Sequence, residues 1–196
     1  MIFVMVKRDI YFFIDAGYLS AISKFLGKGK PLKYHIGKFA ERLAIKQQLN
    51  LRKTFYYTAP PYQNNIPTDG ELKRKARYDK FIGELRKIPN FIVREGRCQK
   101  CGDSFQQKGV DTLLTMDLLK IDKSKIDTII ILICDTDFVP VLEDLRQSGI
   151  GVILYYFSDF DRNSKFFMSN HLWKVCDKKF LLKKEDFENL PIENGN

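Results

Sequence analysis

Several short runs of this chain are continuously apolar, with no polar residue at every second position. Two of them read TIIILIC, residues 128–134, and GVILYYF, residues 151–157. A strand with one face in solvent alternates apolar and polar residues, so these runs predict strands that are covered on both faces. Segments with helical spacing separate the runs, an alternation typical of βαβ units. The pattern predicts a three-layer α/β/α sandwich with a mainly parallel sheet.

The individual elements follow from apolar spacing and from β-branched or aromatic content. The predicted strands are Ile10–Asp15, Lys53–Ala59, Asn90–Arg94, Thr128–Cys134, Ile150–Phe157 and, near the end, Leu172–Val175. The predicted helices are Leu32–Leu49, Glu71–Ile88, Val110–Leu119 and Phe138–Ser148. No repeat or Pro-rich linker divides the chain, so we expect one domain over residues 1–183 and a polar, frayed tail over 184–196.

Composition narrows the class of protein. The 196 residues are 44% hydrophobic and 29% charged, which is typical of a soluble domain with a real core. No apolar run is long enough to span a bilayer, and charged residues split the apolar N-terminus, which favours a buried strand over a signal peptide. The four cysteines do not resemble a secreted disulfide scaffold, which favours the cytoplasm. The net charge of +9 favours a polyanionic partner such as nucleic acid, although it could serve solubility alone.

Aspartates stand directly after two of the predicted strands. Asp15 ends the first strand, while Asp135 and Asp137 follow the strand 128–134. In open parallel sheets, ligand sites lie outside the carboxyl ends of the strands, where strand order reverses. If these strands are neighbours there, three carboxylates converge in one crevice. Asp111, at the start of a helix entering from the same side, is a fourth candidate.

Carboxylates held close together repel one another, and their pKa values rise unless a cation compensates. Mg²⁺ and Mn²⁺ prefer carboxylate and water oxygens, and such a site can activate water against a phosphodiester. On a basic protein, this pattern favours metal-assisted hydrolysis of nucleic acid. The alternative is capping: Asp137 or Asp15 could cap the helix that follows it, and the macrodipole would favour Asp111 in a first turn.

Three blocks of the sequence resemble a known family. FIDAGYL, KGVDTLLTMDLL and CDTDFVPVLEDLRQSGIGVIL are similar, in order and spacing, to the NYN domain of the LabA-like group, relatives of PIN-domain nucleases. The closing segment is similar too, with Ser169, Leu172, Asp177 and Phe180 at the group's spacing, so the resemblance spans residues 10–182. It implies a Rossmann-like α/β/α fold and a ribonuclease-type site that depends on Mg²⁺ or Mn²⁺.

The resemblance also assigns roles to individual residues. It implies that the catalytic and metal-binding carboxylates are Asp15, Asp111, Asp135 and Asp137. Asp117 matches a further acidic position of the second block. However, six residues amount to about 240° around a helix, so Asp117 should not share a face with Asp111, and we expect it either to be structural or to orient a residue of the site.

This chain departs from the family pattern at two places. Residues 16–18 read Ala-Gly-Tyr where the family usually has asparagine shortly after the aspartate. Ile133 and Cys134 stand where the family has small Ser-Gly positions, which should narrow the crevice by a side chain. Neither departure removes a carboxylate.

A basic segment, ELKRKARYDKFIGELRKI, follows a loop that leaves the second strand. Its cations could form a phosphate-binding rim or simply face solvent. The residues that we expect at nucleic acid are Lys73, Arg74, Arg77, Lys108 and Tyr18. Lys108 could instead pair with Asp111. Tyr56, Tyr57 and Tyr62 could stack unpaired bases, with burial in a strand as the alternative for the first two.

The stretch RCQKCGD places Cys98 and Cys101 as in one zinc knuckle. A structural zinc site needs four ligands, and no second CxxC and no nearby histidine completes this one. The open alternatives are a Zn²⁺ site finished by loop residues, half of a Zn²⁺ site shared across a homodimer, a redox pair, or no role at all.

Several functions lack their usual signature. The chain has no GxxxxGK[ST] loop, no GxGxxG after the first strand and no GxSxG elbow, which disfavours NTP binding, dinucleotide binding and serine hydrolysis. The sequence therefore favours a metal-dependent endoribonuclease acting on single-stranded or structured RNA. The main alternative is a non-enzymatic RNA-binding module on the same fold. A haloacid-dehalogenase-type phosphatase is more distant, because Gly17 occupies the place of its second aspartate.

Overall fold

A computed structural model describes residues 8–102, 104–159, 164, 166 and 168–191. The strands are β1 (Asp9–Asp15), β2 (Asn50–Thr58), β3 (Phe91–Glu95), β4 (Arg97–Cys101), β5 (Ser104–Lys108), β6 (Thr128–Leu132), β7 (Gly151–Tyr156) and β8 (Lys178–Leu181). The α-helices are α1 (Ala16–Leu26), α2 (Ile36–Lys46), α3 (Asp69–Lys87), α4 (Val110–Leu119), α5 (Val139–Gln147) and α6 (Asn170–Val175). Two 3₁₀ turns span Thr136–Phe138 and Lys184–Phe187.

Six of the strands form one parallel sheet in the order β3-β2-β1-β6-β7-β8. The chain winds outward from β1 through β2 and β3, then crosses to the other side of β1 and continues through β6, β7 and β8. Strand order therefore reverses between β1 and β6, which is where open α/β sheets form their ligand sites. The remaining strands, β4 and β5, pair as a separate antiparallel ribbon.

Helices cover both faces of the sheet, and alternate residues of β1 feed the two cores. Phe12 and Ile14 pack under α1, α2 and α3, whereas Phe13 packs under α4, α5 and α6. β6 is buried at each of its positions, as its uninterrupted apolar run predicts. The three-layer α/β/α sandwich predicted from the sequence is confirmed.

The predicted last strand, Leu172–Val175, is wrong: these residues belong to α6. The Ser169 hydroxyl accepts a hydrogen bond from the His171 N–H (3.2 Å) and caps the helix. Leu172 and Val175 are both buried, which a separation of three residues permits on one side of a helix but not on one face of a strand. The last strand of the sheet is β8, which starts three residues later.

The segment 184–191 is packed, contrary to the predicted frayed tail. Phe187 is 2% exposed, and its ring lies 4.8 Å from that of Phe39 on α2. The Arg42 guanidinium, also on α2, donates to four backbone carbonyls, those of Glu185, Asp186, Glu188 and Asn189. The rest of the predicted tail, residues 192–196, lies outside the described residues.

Replacing Arg42 with alanine should lower the free energy of unfolding by about 1–3 kcal/mol, since hydrogen bonds from a charged donor to four carbonyls would be lost. Urea denaturation measures this. Glu41→Ala, an exposed neighbour on the same helix, should change the free energy by no more than about 0.5 kcal/mol. A tail that is frayed in solution would make the two variants equal.

Candidate functional site

The four predicted carboxylates gather at the carboxyl edge of the sheet, where strand order reverses. β1 and β6 are hydrogen-bonded neighbours, and the last residue pair between them is Ile14 and Leu132. Asp15 follows that pair directly, and Asp135 follows it by three residues. Asp111 stands in the first turn of α4, which begins at the same edge.

Electrostatics shows that these carboxylates act on one another. Burial raises the pKa of Asp15, and the charges of Asp111 and Asp135 raise it further, against the lowering effect of two backbone hydrogen bonds. The pKa of Asp111 is also raised, first by burial and then by the charges of Asp135 and Asp137. The four aspartates therefore form one mutually repelling group, which we call the acidic cluster.

Asp15 is held by the helix that it begins. Its Oδ1 accepts hydrogen bonds from the N–H groups of Gly17 (2.7 Å) and Tyr18 (3.1 Å), so it is the N-cap of α1. A Cβ atom at Gly17 would lie 3.1 Å from this same Oδ1, tighter than an ordinary contact. Both backbone bonds go to one oxygen, so the capping expected for Asp15 leaves its Oδ2 outside the cap.

Asp135 has a similar anchor. Its Oδ1 accepts a hydrogen bond from the Asp137 N–H (2.9 Å) and caps the 3₁₀ turn Thr136–Phe138. α5 begins one residue after that turn without a side-chain cap, so the alternative in which Asp137 caps the helix is wrong. Asp135 is the capping residue, and both side chains are exposed to solvent.

The acidic cluster stands without a basic partner among the described residues. Throughout the described ranges, none of the four carboxylates forms an ion pair, although the protein carries a net charge of +9. Lys108, which could have paired with Asp111, does not. Among these residues, no paired cation offsets the repulsion within the cluster.

The donor set fits a hard divalent cation, because it consists of carboxylates, two of which, Asp15 and Asp111, have raised pKa values. Among the described residues, no group of three or more His, Cys, Asp or Glu side chains surrounds a single point closely enough to hold an ion. Mg²⁺ usually keeps several waters and takes only one or two protein carboxylates, so this spread of ligands suits it.

A thiol lies beside the cluster. Burial, together with the charges of Asp15, Asp135 and Asp111, raises the pKa of Cys134 to about 11. The thiol is therefore protonated at neutral pH and adds no charge to the site. Cys134 is one of the two positions at which this chain has a larger residue than the family pattern. Its side chain is half-buried between the carboxylates and the α1 face of the sheet.

Two substitutions at Asp15 distinguish the effect of its charge from the effect of its capping hydrogen bonds. An asparagine at this position would still accept the two backbone N–H bonds, so Asp15→Asn should be at least as stable as wild type in EDTA at pH 7, since the repelling charge is gone. Asp15→Ala loses the cap and should be less stable than Asp15→Asn by about 1 kcal/mol. Urea denaturation compares the three proteins. Equal losses in both variants would mean that the Asp15 charge is not destabilising.

Asp117 is structural, as the helical angle predicts. The Arg94 guanidinium donates to both of its carboxylate oxygens (2.8 and 3.1 Å), and the Tyr57 hydroxyl donates to one of them (3.0 Å). These contacts tie α4 to β2 and β3. Asp117 therefore does not belong to the acidic cluster, although it lies on the same helix as Asp111.

Tyr18 does not match the nucleic-acid contact predicted for it. Its ring is 5% exposed, and its hydroxyl accepts a hydrogen bond from the Phe157 N–H (2.9 Å) and donates one to the Phe157 carbonyl (3.3 Å). Tyr56 and Tyr57 are buried in β2, so for them the alternative of strand burial is correct. Tyr62 lies in the loop after β2 and is half-exposed.

The structure does not assemble the predicted zinc site. Cys98 and Cys101 both belong to β4, and residues three apart on a strand project from opposite faces. Both thiols are free, and no further ligand among the described residues joins either one. Nothing in the described part of the chain supports the homodimer that could have completed the site.

A cleft of about 410 Å³ adjoins the acidic cluster on the side of β2. Residues from the start of α1, the end of β2, α3 and the ribbon line it, among them Ala16, Gly17, Thr58, Arg74, Arg77 and Gln107. Arg74 and Arg77 are two of the cations predicted at nucleic acid. Lys73 and Lys108 are exposed and do not line the cleft.

The ribbon formed by β4 and β5 was not among the strands predicted from the sequence. It leaves the carboxyl end of β3 and leads into α4, so it stands on the same edge as the acidic cluster. Its base needs Gly96, because a Cβ there would lie 2.5 Å from the Lys108 carbonyl oxygen. A signal was present: a glycine followed by a polar residue between two short runs is typical of a hairpin turn, and Gly102 has a φ of +61°.

Comparison with known proteins gives a family and a fold. The NYN domain family matches residues 9–182. A crystal structure of a protein of unknown function from Vibrio parahaemolyticus superposes with a TM-score of 0.62 at 15% identity, covering 95% of this chain and 99% of that one. At this identity the likeness shows the fold alone.

No curated protein sequence matches this chain. No helix in the described residues is long and apolar enough to cross a membrane. The family match covers nearly all of the chain and includes the strand ends that carry the acidic cluster. The chain belongs to the NYN domain family, a branch of the PIN-like nucleases.

Proposed function

We propose that this protein is a metal-dependent nuclease, specifically an endoribonuclease that hydrolyses RNA phosphodiester bonds. The observation that carries the proposal is the acidic cluster, four coupled carboxylates without an ion-pair partner in the described structure. Family membership supports the nuclease class, and the arginine-lined cleft beside the cluster supports a polyanionic substrate.

Asp15, Asp111, Asp135 and Asp137 would hold the Mg²⁺ or Mn²⁺. A bound divalent cation supplies activation of water and neutralisation of charge that develops on the phosphodiester. The protein's own part is positioning. Backbone N–H groups fix one oxygen of Asp15 and one of Asp135, which orients both carboxylates before any ligand arrives.

The other parts of the mechanism need no side-chain nucleophile. Arg74 and Arg77 would bind phosphates of the RNA next to the cluster, and water would attack phosphorus in line with the leaving oxygen. By its resemblance to the LabA-like group, the reaction would leave a 5′-phosphate and a 3′-hydroxyl. The four free cysteines suit a reducing compartment, and we place the activity in the cytoplasm.

The test is cleavage of a labelled mixed-sequence RNA by EDTA-stripped protein, followed by addition of Mn²⁺ or Mg²⁺. We expect no cleavage in EDTA and internal cleavage after addition of either metal, with product ends that a ligase or a phosphatase can distinguish. Cleavage that persists undiminished in EDTA would contradict the proposal.

The second candidate is a non-enzymatic RNA-binding module on the same fold. Two features favour it: the described carboxylates do not already surround one point, and the half-buried side chain of Cys134 stands beside them where the family has a small residue. Such a module would bind RNA with steep salt dependence, yet no added metal would produce cleavage.

A further inference from the structure

The cations of α3 include paired and unpaired side chains, and of those unpaired in the described structure Arg74 and Arg77 line the cleft, whereas Lys73 and Lys80 do not. Lys75 pairs with Asp79 (2.5 Å), Lys87 pairs with Glu84 (2.8 Å) and Arg86 pairs with Glu95. Arg74 and Arg77 line the cleft and form no ion pair or hydrogen bond in the part of the chain that the structure describes. Their guanidinium groups are thus available to an anion.

The ribbon forms the facing wall. Gln107 lines the cleft, and Phe105 projects from the same face of β5 because the two residues are separated by one position. Lys100 is the residue opposite Phe105 in the register of the ribbon, so it shares this face. The wall therefore continues the cleft outward with an aromatic ring and a cation.

Phe105 is paired with another ring rather than buried. It is 60% exposed, and its ring centroid lies 5.2 Å from that of Tyr62, at an interplanar angle of 37°. Tyr62 directly follows Pro61, which lines the cleft. Exposed aromatic pairs beside cations are what proteins use to stack unpaired bases.

We use the word groove for the cleft together with its outward continuation between α3 and the ribbon. We propose that this groove binds single-stranded RNA, with Arg74 and Arg77 on phosphates and the Tyr62–Phe105 pair stacked against an unpaired base. The inference rests on the proposed nuclease function for its substrate class. Ala16 and Gly17, which line the groove, adjoin the carboxylate of Asp15, so a bound strand is led directly to the acidic cluster. A duplex keeps its bases stacked inside and cannot use the aromatic pair.

The test is RNA binding in EDTA, measured by fluorescence anisotropy with an unstructured labelled RNA of about 12 nucleotides. Tyr62→Ala/Phe105→Ala should raise Kd at least about fivefold, and Phe105→Tyr should keep wild-type affinity. Arg74→Ala/Arg77→Ala should reduce the slope of log affinity against log salt by about 1.4, at about 0.7 per phosphate contact. All of these side chains are at the surface, and circular dichroism verifies that the variants fold.

The matched control is Lys120→Ala/Lys178→Ala, which removes two exposed cations at the opposite edge of the sheet. It should leave Kd nearly unchanged. The inference is overturned if the control weakens binding as much as the arginine variant, if the aromatic variant binds like wild type, or if the corresponding duplex binds as tightly as the single strand.

The same proteins separate this inference from the proposed function. RNA that binds in the groove but is never cleaved after metal addition would contradict the nuclease and support the groove. Metal-dependent cleavage whose KM is unchanged in both the aromatic and the arginine variants would support the nuclease and overturn the groove.

Discussion

Asp135→Asn should reduce the rate of metal-dependent RNA cleavage at least about 100-fold. Loss of a group that only orients a metal ligand costs about 10–100-fold, and loss of a carboxylate that itself binds the metal should cost more. The substitution changes charge and little else. The new amide oxygen can still accept the Asp137 N–H bond that caps the 3₁₀ turn, and asparagine is as good an N-cap as aspartate. Initial rates at saturating Mn²⁺ measure the effect.

The matched control for Asp135→Asn is Asp122→Asn. Asp122 Oδ1 accepts the N–H of Ser124 (3.1 Å), two residues on, as Asp135 Oδ1 accepts the N–H of Asp137 (2.9 Å). Asp122 stands at the opposite edge of the sheet, before β6, so its loss of charge should leave the cleavage rate unchanged.

Stability distinguishes a functional carboxylate from a structural one. Removal of the Asp135 charge takes away a cause of the raised pKa of Asp15 and of Asp111, so the metal-free variant should be at least as stable as wild type. If Asp135→Asn cleaves RNA at the wild-type rate but unfolds more easily, Asp135 serves only the turn, and its assignment as a metal-binding carboxylate fails. Full activity with unchanged stability would also contradict the assignment.

The placement of these carboxylates was predictable from the sequence because it depends on topology. A buried parallel strand reads as an uninterrupted apolar run, so its end is visible where the first aspartate follows. The adjacency of β1 and β6 was a condition of that prediction, and the register between the two strands meets it. The prediction of Val110–Leu119 as a helix also agrees with the structure, which puts Asp111 in a first turn.

What the sequence did not show depends on contacts between distant residues. Tyr18 is buried because its hydroxyl bonds to Phe157, 139 residues away, and no local pattern reports such a partner. The polar composition of the segment after residue 183 hid Phe187, whose burial needs α2. Leu172–Val175 is too short for its apolar residues to distinguish a strand from one turn of helix.

The ribbon is the clearest example of a part of the fold without a composition signal. Its strands are mostly exposed and bury no apolar face, so hydrophobic periodicity does not mark them. Its two cysteines are typical of metal chemistry rather than of a hairpin. Its position on the edge that carries the acidic cluster follows from β3 and α4, between which it is inserted.

Lowering the pH should weaken Mn²⁺ binding at pH values above those at which an ordinary aspartate titrates, about pH 3.9. The pKa values of Asp15 and Asp111 are both raised, so protons compete with the metal at a higher pH than usual. Below the pKa of a metal-binding carboxyl, the metal must displace its proton, and the apparent affinity for Mn²⁺ falls about tenfold per pH unit. If both Asp15 and Asp111 are protonated, the affinity should fall up to about 100-fold per pH unit.

Without metal, lowering the pH should remove a destabilising effect of Asp15 and Asp111 on the fold, whereas with metal it weakens binding. A carboxyl whose pKa is higher in the folded than in the unfolded protein destabilises the fold when ionised, and this cost disappears as the pH falls through the raised pKa. Other carboxyls, such as Asp122, have lowered pKa values and lose their contribution as pH falls, so wild type must be compared with a variant.

The comparison is wild type against Asp15→Asn, by urea denaturation from about pH 4 to pH 7, with EDTA and with saturating Mn²⁺. In EDTA, the stability advantage of Asp15→Asn should be largest at neutral pH and should vanish at acid pH, because only the wild-type carboxyl takes up the proton. In Mn²⁺, wild type should be the more stable protein at neutral pH, since only its carboxylate binds the ion. If the difference between the two proteins does not change with pH or metal, Asp15 neither repels its neighbours nor binds a cation, and its role is reduced to the cap of α1.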